Sequence, residues 1–449
     1  MNRDSIVALN NRGTAFLNHG RHTDAIRSLS RAAAACAPLS VCRSNLLLSL
    51  LYHPHLEPKE VTKAHQYLID PLPQRPAPLA HRRLRIAYLS PDLHFHPKAF
   101  LHIPHLRYYR RSDFELFIYS STPHPDAYTR AARSAADRWR DVANRSPEAI
   151  AKLIRNDAID ILLDITGHFA RSPLPVFALR PAPLQISIPG YPATTGLPTV
   201  DYKVVDHHTD PTGMTEHLYI EKLLRLRRPI ACYSPPPDAP DITPAPHRTN
   251  GFITFGSFNS RSKINRPLMA IWGRILRQVS NSRIIFHHTF NGYPAVSGDF
   301  RDPIARAFRT EGISSRRLEF IGGIPVAEHL RAISQADIAL DSFPYNGATT
   351  TCECLWMGVP VVTLAGRTHC SRTGLSILSS LGFDDWIASS PSDYIECAVG
   401  RARDSESLSR TRGELRQKMR HSELTDGRSY IRSLEECFAA AWSKLAAVR

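Results

Sequence analysis

The sequence predicts a two-lobed α/β protein preceded by an all-α element, and three observations predict it. From residue 84 onward, short β-rich runs alternate with helical stretches, as in a parallel sheet covered by helices on both faces. A proline-rich stretch interrupts this alternation once, after which the alternation begins again. Ahead of both, residues 5–38 carry helical periodicity instead.

Taken in order, residues 5–38 read as one helical hairpin. Gly13, Phe16, Gly20, Ala25, Leu29 and Ala32 fall at the offsets of a tetratricopeptide repeat, with Pro38 just past its end. One repeat cannot bury its apolar face alone, so SNLLLSLLYHPHLEPKEVTKAHQYLI (44–69) is expected to cover it. A plain helical cap fits the same residues. The first lobe reads as strands LRIAYLS and FELFIYS, helix PEAIAKLIRND, then strands IDILLDITG, LQISIPG and YKVVD. The stretch ACYSPPPDAPDITPAPHRTNG follows as a stiff linker. The second lobe reads FITFGSF, helix PLMAIWGRILRQV, RIIFHH, helix DPIARAFRTEG, LEFIGG, helix VAEHLRAISQAD, IALDSF, a short helix and VPVVTLA. Polar and basic helices fill 391–448. The expected divisions are a helical region over 1–80, a first lobe over 82–235, and a second lobe with terminal helices over 250–449.

In open parallel sheets ligands bind beyond the carboxyl ends of the strands, so residues just after strands are the candidates. In DSFPYNGATTTCECLWMGVPVVTLAG (341–366) a strand ends, a loop turns, and Thr349-Thr350-Thr351 opens a helix. Free N–H groups at that end, with three hydroxyls, suit a phosphate. Glu353 lies four residues on, within reach of a ribose diol; the alternative is that Thr349 merely caps the helix. In FGSFNSRSKIN (255–265), Lys263 is placed to neutralise charge on a departing diphosphate, although a lone lysine after a strand is often only solvated. In SPDLHFHPKAF (90–100), His94 and His96, with His102 and His105 nearby, invite a metal reading. They lack an acidic or cysteine partner at set spacing, and a single histidine acting as base or positioning group fits better. In DITGHF (164–169), Asp164 and His168 suit a proton acceptor, or an Asp that caps the following turn.

Composition narrows the classes. Lys and Arg number 56 against 41 Asp and Glu, a formal charge of +15. The excess attracts polyanions, but it is scattered, no nucleic-acid-binding motif accompanies it, and no specific nucleic-acid partner is expected. It suits a basic cleft for a diphosphate and an acidic acceptor surface; an initial rate indifferent to salt would sink the second idea. No run approaches the ~18–20 apolar residues of a membrane span, and MNRDSIVALNNRG lacks a secretory pattern. The eight cysteines are dispersed, without paired metal-ligand spacing. A cytoplasmic protein is expected, with signal-independent export left open. Nothing in the sequence sets an oligomeric state.

IPGYPATTG (188–196), preceded by ALRPAPLQ (178–185), resembles the signature of the protein O-GlcNAc transferases and the related SPINDLY-type transferases. The SPD…HP, DITGH, FNSRSKI and FPYNGATTTCECLWMGVPVVTLAG segments occur in that family's order, and the resemblance spans about residues 82–445. It implies a glycosyltransferase-B fold of two Rossmann-like lobes, no metal or cofactor, and inversion at the anomeric carbon by direct attack of a Ser or Thr hydroxyl of a protein acceptor. By position, His96 matches the active-site histidine, Lys263 the diphosphate-binding lysine, and His329 the residue packed on the donor base. Thr349 and Thr350 match the phosphate-binding threonines and Glu353 the acidic residue at the ribose. Gly190 and Pro192 lie on the sugar-pocket loop, and Ser260, Ile324 and His369 complete the implied donor-binding set. Asp164, His168 and His96 all remain candidates for the base. Ala348, Glu353 and Ser260 depart from the mammalian O-GlcNAc pattern, which holds His, Asp and Gln there. The implied donor is UDP-GlcNAc, with GDP-fucose as the alternative. A binding module of the same fold without catalysis, and a transferase acting on small molecules or glycans, are the rival readings.

Overall fold

The computed structural model describes residues 3–67, 69, 71–78, 83–287, 301–322 and 328–447. Four helices lead: α1 (Arg3–Asn18), α2 (His22–Ala34), α3 (Val41–Tyr52) and α4 (Pro58–His65). α1 and α2 pack as the expected hairpin and α3 packs on it. The single stretch expected over 44–69 is divided at His53-Pro54, because a residue before proline is pushed out of the helical region; Pro58 then opens α4 at its first turn, where no N–H is needed.

The first lobe is a seven-stranded sheet, and every pairing in it is parallel. Its strands are β1 (Leu84–Ser90), β2 (Phe114–Ser120), β3 (Arg138–Asp141), β4 (Ile161–Asp164), β5 (Leu184–Ser187), β6 (Tyr202–Asp206) and β7 (Lys222–Leu226), in the order β3-β2-β1-β4-β5-β6-β7. Alternate residues face opposite cores. Ile86, Tyr88, Leu116 and Ile118 join one cluster, and Ala87, Leu89, Phe117 and Tyr119 the other. Burial on both faces explains why these strands read as near-continuous apolar runs. The second sheet is also parallel, with β8 (Ile253–Ser257), β9 (Ser282–His287), β10 (Leu318–Ile321), β11 (Ile338–Leu340), β12 (Val361–Leu364) and β13 (Ile387–Ala388) in the order β10-β9-β8-β11-β12-β13.

The strand order reverses at the β1–β4 junction in one sheet and the β8–β11 junction in the other, which puts a ligand-binding crevice at each. Two segments cross between the lobes. The proline-rich linker is packed down at its start, where Tyr233 is fully buried with its N–H on the Leu424 carbonyl at 2.6 Å, and Ser234 N–H donates to the Phe100 carbonyl at 2.8 Å. The last helix, Gly427–Ala447, follows the second lobe in sequence yet lays Tyr430, Ile431, Leu434 and Phe438 into the first lobe's core. Its Glu435, fully buried, receives Arg110 at 2.7 Å. Among the described residues no helix is long and apolar enough to cross a membrane.

Candidate functional site

On the first lobe, the loop after β1 is built around a buried charge pair. Lys98 Nζ lies 2.7 Å from Asp92 Oδ2, and both residues are buried. The Thr166 hydroxyl, from the loop after β4, donates to the same carboxylate at 3.1 Å, and the Phe169 ring lies under Lys98 Nζ at 4.3 Å. Burial pushes the Asp92 carboxyl up, but Lys98 and then His96 outweigh it and hold it below its ordinary range. His96 Nε2 stands 4.0 Å from Asp92 Oδ1. Burial, helped by the Lys98 charge and opposed by Asp92, brings the imidazole down to about 4, so the ring is neutral at pH 7. Its Nδ1 accepts the Lys98 N–H at 3.2 Å. A neutral ring that accepts at Nδ1 carries its proton on Nε2, so the His96 donor is the nitrogen 4.0 Å from Asp92 Oδ1.

Asp164 and His168 turn the other way. Asp164 is fully buried and accepts the N–H groups of Thr166 (2.8 Å) and Gly167 (2.9 Å) and the Ser187 hydroxyl (3.3 Å). It shapes the turn after β4. His168 donates from Nε2 to the Thr195 carbonyl at 2.8 Å and accepts the Ser44 hydroxyl at Nδ1, 3.2 Å away. Burial brings it down to about 3. It therefore ties α3 to the loop after β5.

That loop, 188–196, is held from below. Fully buried Lys203 donates to the Tyr191 carbonyl at 2.9 Å and the Ser187 hydroxyl at 3.3 Å. Glu221 accepts the Thr194 hydroxyl at 2.5 Å and the Thr195 N–H at 2.7 Å. Gly190 is required by close approach: a Cβ there would stand 2.1 Å from the Ile165 carbonyl oxygen. Pro192 is buried and lines a pocket with Leu51, Val61, Phe343 and His369, where the helical unit meets both lobes.

On the second lobe, the turn Arg261–Lys263 after β8 presents the lysine. Its Nζ donates to the Asn346 carbonyl at 2.7 Å and Asn259 Oδ1 at 3.3 Å, and lies 4.4 Å from the Tyr345 ring centre. Burial lowers its pKa to about 8, against the pull of Asp341 and Cys370. Asp341, beneath, organises the loop after β11 by accepting from Asn259 Nδ2 (3.0 Å), the N–H groups of Ser342 and Gly347 (2.8 Å each) and the Thr363 hydroxyl (2.7 Å). Ser260 pairs its hydroxyl with that of Ser262 at 3.0 Å.

The helix Thr349–Trp356 starts from this loop. Its N-cap is Ala348, whose methyl side chain makes no capping bond, so Thr349 is not the cap. Its first-turn N–H groups have no intrahelical acceptor. The Thr349 hydroxyl instead donates across the cleft to the Pro97 carbonyl at 3.1 Å, beside His96 and Lys98. Thr350 is half-buried next to it. One turn further in, Glu353 Oε2 meets His329 Nε2 at 3.1 Å, and His329 Nδ1 meets His287 Nε2 at 3.0 Å. Ile324 lies outside the described residues.

His369 pairs Nδ1 with Asp210 Oδ2 of the first lobe at 2.6 Å, both buried. Burial would raise the Asp210 carboxyl, but His369 and hydrogen bonds bring it to about 2. Arg372 donates to the His208 carbonyl at 2.7 Å and Ser376 to Asp206, so this end of the cleft is latched.

The structure thus brings His96, Thr349, Thr350 and Lys263 to the cleft, sets Glu353 and His329 side by side, and turns Asp164 and His168 into the framework. Among the described residues, no group of three His, Cys, Asp or Glu side chains could hold a metal ion; His105 instead donates to the Cys232 carbonyl at 2.9 Å. Sequence reasoning missed Asp92 and Lys98, although opposite charges flanking a histidine in a strand-end loop were a signal. It also missed Lys203, which looks like any strand lysine.

Two parallel Rossmann-like sheets facing each other, with both switch-point loops converging on one cleft, define the class as a glycosyltransferase-B architecture. The chain belongs to glycosyl transferase family 41, whose sequence profile matches residues 64–230 and 247–434. It is 38% identical over 368 residues to a Petunia hybrida protein named "Probable UDP-N-acetylglucosamine--peptide N-acetylglucosaminyltransferase SPINDLY", covering 81% of this chain and 39% of that protein. The Arabidopsis thaliana protein of the same name is 37% identical over 368 residues, covering 81% and 40%. The chain therefore spans about two fifths of the length of these curated relatives. A solved structure of a mutant Thermobaculum terrenum O-GlcNAc transferase superposes with a TM-score of 0.90 at 32% identity, covering 99% of this chain and 85% of that one.

Proposed function

We propose that this chain transfers N-acetylglucosamine from UDP-GlcNAc to Ser or Thr hydroxyls of protein acceptors, with inversion and without a metal. The observation that carries the reading is the meeting of the two switch-point loops at Thr349 and Pro97, which puts an uncapped helix N-terminus and Lys263 on one side of the cleft and His96 on the other. The names of the Petunia and Thermobaculum relatives support the donor and the protein acceptor.

In this reading the diphosphate sits at the first turn of the helix Thr349–Trp356. Its N–H groups, the Thr350 hydroxyl and the Lys263 ammonium oppose the charge that grows on the leaving UDP, joined by the Thr349 hydroxyl as it turns from the Pro97 carbonyl. Breaking the bond between the anomeric carbon and the phosphate oxygen releases UDP, while the acceptor oxygen bonds to the opposite face of that carbon and its proton passes to water or to the departing diphosphate. His96, whose remaining ring donor is Nε2–H, orients the acceptor or sugar rather than taking that proton. Glu353 and His329 face the nucleoside, and Gly190 and Pro192 the sugar. Ser260 opens the turn that carries Lys263 and lines the donor side with it, while His369 acts on the donor through the latch to Asp210. The eight free cysteines fit work in a reducing compartment such as the cytoplasm.

The test follows UDP and GDP release by the purified chain from UDP-GlcNAc and GDP-fucose with a mixed protein acceptor. UDP release with label appearing on protein is expected. GDP release alone would replace the donor, and the absence of turnover with nucleotide still bound would favour a binding module.

A further inference from the structure

The turn that carries Lys263 is gripped from outside its own lobe. Tyr52, the last residue of α3 and buried, stacks on Tyr345 with ring centres 5.0 Å apart and planes 28° from parallel. Tyr345 is the ring beneath Lys263 Nζ, and the next residue, Asn346, supplies the carbonyl that Nζ bonds. At the start of α2, buried His22 places Nε2 2.8 Å from the Ser262 carbonyl, one residue before the lysine. Burial lowers the His22 pKa, and a carbonyl can only accept, so the neutral ring carries its proton on Nε2. The turn between α1 and α2 presses on the other side: a Cβ on Gly20 (φ 70°) would stand 2.9 Å from the Ile264 carbonyl oxygen.

We propose that the N-terminal helical unit is part of the nucleotide-binding apparatus, with Tyr52 and His22 as positioning residues that hold the Lys263 ammonium in register with the first turn of the helix Thr349–Trp356. A lysine side chain has several rotatable bonds, and an electrostatic contact is worth most when its donor is fixed before the ligand arrives. His22 fixes the backbone at Ser262. Tyr52 fixes the ring over which the side chain extends. The helical unit also grips the first lobe, through Ser44 on His168 and His65 on Tyr191; on the second lobe its buried histidine bond and its ring stack both fall on the residues flanking Lys263 and on the ring it lies over. This inference rests on the reading of Lys263 as the residue that meets the diphosphate.

The experiment measures UDP and GDP binding by calorimetry, with donor turnover, for the full chain and for Tyr52→Leu, Tyr52→Phe, His22→Ala and His22→Gln. Tyr52→Leu fills the space without a ring to stack and is expected to weaken UDP binding about tenfold, the scale of an aromatic contact. Tyr52→Phe keeps the stack but loses the hydroxyl's hydrogen bond to Ser262, and should keep more of the affinity than Tyr52→Leu. His22→Gln keeps a donor for the Ser262 carbonyl and should restore part of what His22→Ala loses. A second readout is the pH dependence of UDP affinity. In the unaltered chain it should bend near the Lys263 value of about 8, set by burial with Asp341, Cys370 and the Tyr345 ring about the ammonium and Tyr52 stacked behind that ring. In Tyr52→Leu the bend should move up as water reaches the ammonium. A folded Tyr52→Leu with unchanged affinity and an unmoved bend overturns the proposal. So does a loss of affinity in Tyr52→Phe and His22→Gln that tracks only their melting temperatures. If the unaltered chain binds neither nucleotide, the parent reading fails and takes this one with it.

Discussion

The two walls of the cleft are built on opposite principles. On the first-lobe wall the carboxylates are already satisfied by the protein: Asp92 by Lys98 and Thr166, Asp164 by its own turn. The second-lobe wall keeps its chemistry available. The helix at Thr349 has no side-chain cap, and Lys263 is held by a carbonyl, an amide oxygen and a ring rather than by a carboxylate. A lysine neutralised by Asp or Glu would gain little from a phosphate, whereas one held by neutral groups keeps its charge for the ligand. The first wall therefore supplies shape and the second supplies charge.

Substitutions can break this contrast. Lys98→Met leaves a buried Asp92 carboxylate without its cation, and is expected to lower stability by about 3–5 kcal/mol in urea unfolding. If it unfolds like the parent chain, the first wall is not a stability device. Lys263→Ala should do the reverse, lowering turnover by roughly 10²–10³ with the melting temperature nearly unchanged. Equal losses of stability and turnover in both variants would erase the distinction.

The latch offers a smaller effect with a definite sign. Asp210 titrates at about 2 in the fold, below the ordinary carboxylate value near roughly 4. Its contribution, about 2 kcal/mol, is therefore complete at neutral pH and drains away as pH falls from about 4 to 2. Asp210→Asn should remove that part of the acid dependence of the melting temperature; an unchanged acid slope would dissociate the latch from stability. The smallest expected change is an absence. With His96 held at about 4, kcat/KM should show no acid limb near the usual histidine value of about 6.5. A limb there that disappears in His96→Asn would make the ring an ordinary exposed base.

Much of this was legible in the chain. Strands buried on both faces, such as LRIAYLS and FELFIYS, emerge at the residues where their apolar runs lie. The strands that escaped notice are β3, β7 and β13, with the sequences RWRD, KLLRL and IA. Each sits at a sheet edge, where one neighbour and one solvated side leave little hydrophobic signature. Of the site, the loops after β1, β8 and β11 could be found, because parallel sheets bind ligands at strand ends. The orientation within those loops could not: Asp164 and His168 share a strand end with the cleft, yet their polar atoms face the framework.

The sequence by itself determined the alternation of strands and helices, the two lobes, and the segments from which the cleft is made, because each follows from periodicity, glycine and proline placement, and short-range order. Tertiary structure alone decided which side chains meet. The return of the helix Gly427–Ala447 to the first core, the His369–Asp210 latch, the Thr349–Pro97 bond and the Tyr52–Tyr345 stack all join residues far apart along the chain. Such contacts depend on how whole lobes pack, and no local pattern encodes the distance between two residues on different elements.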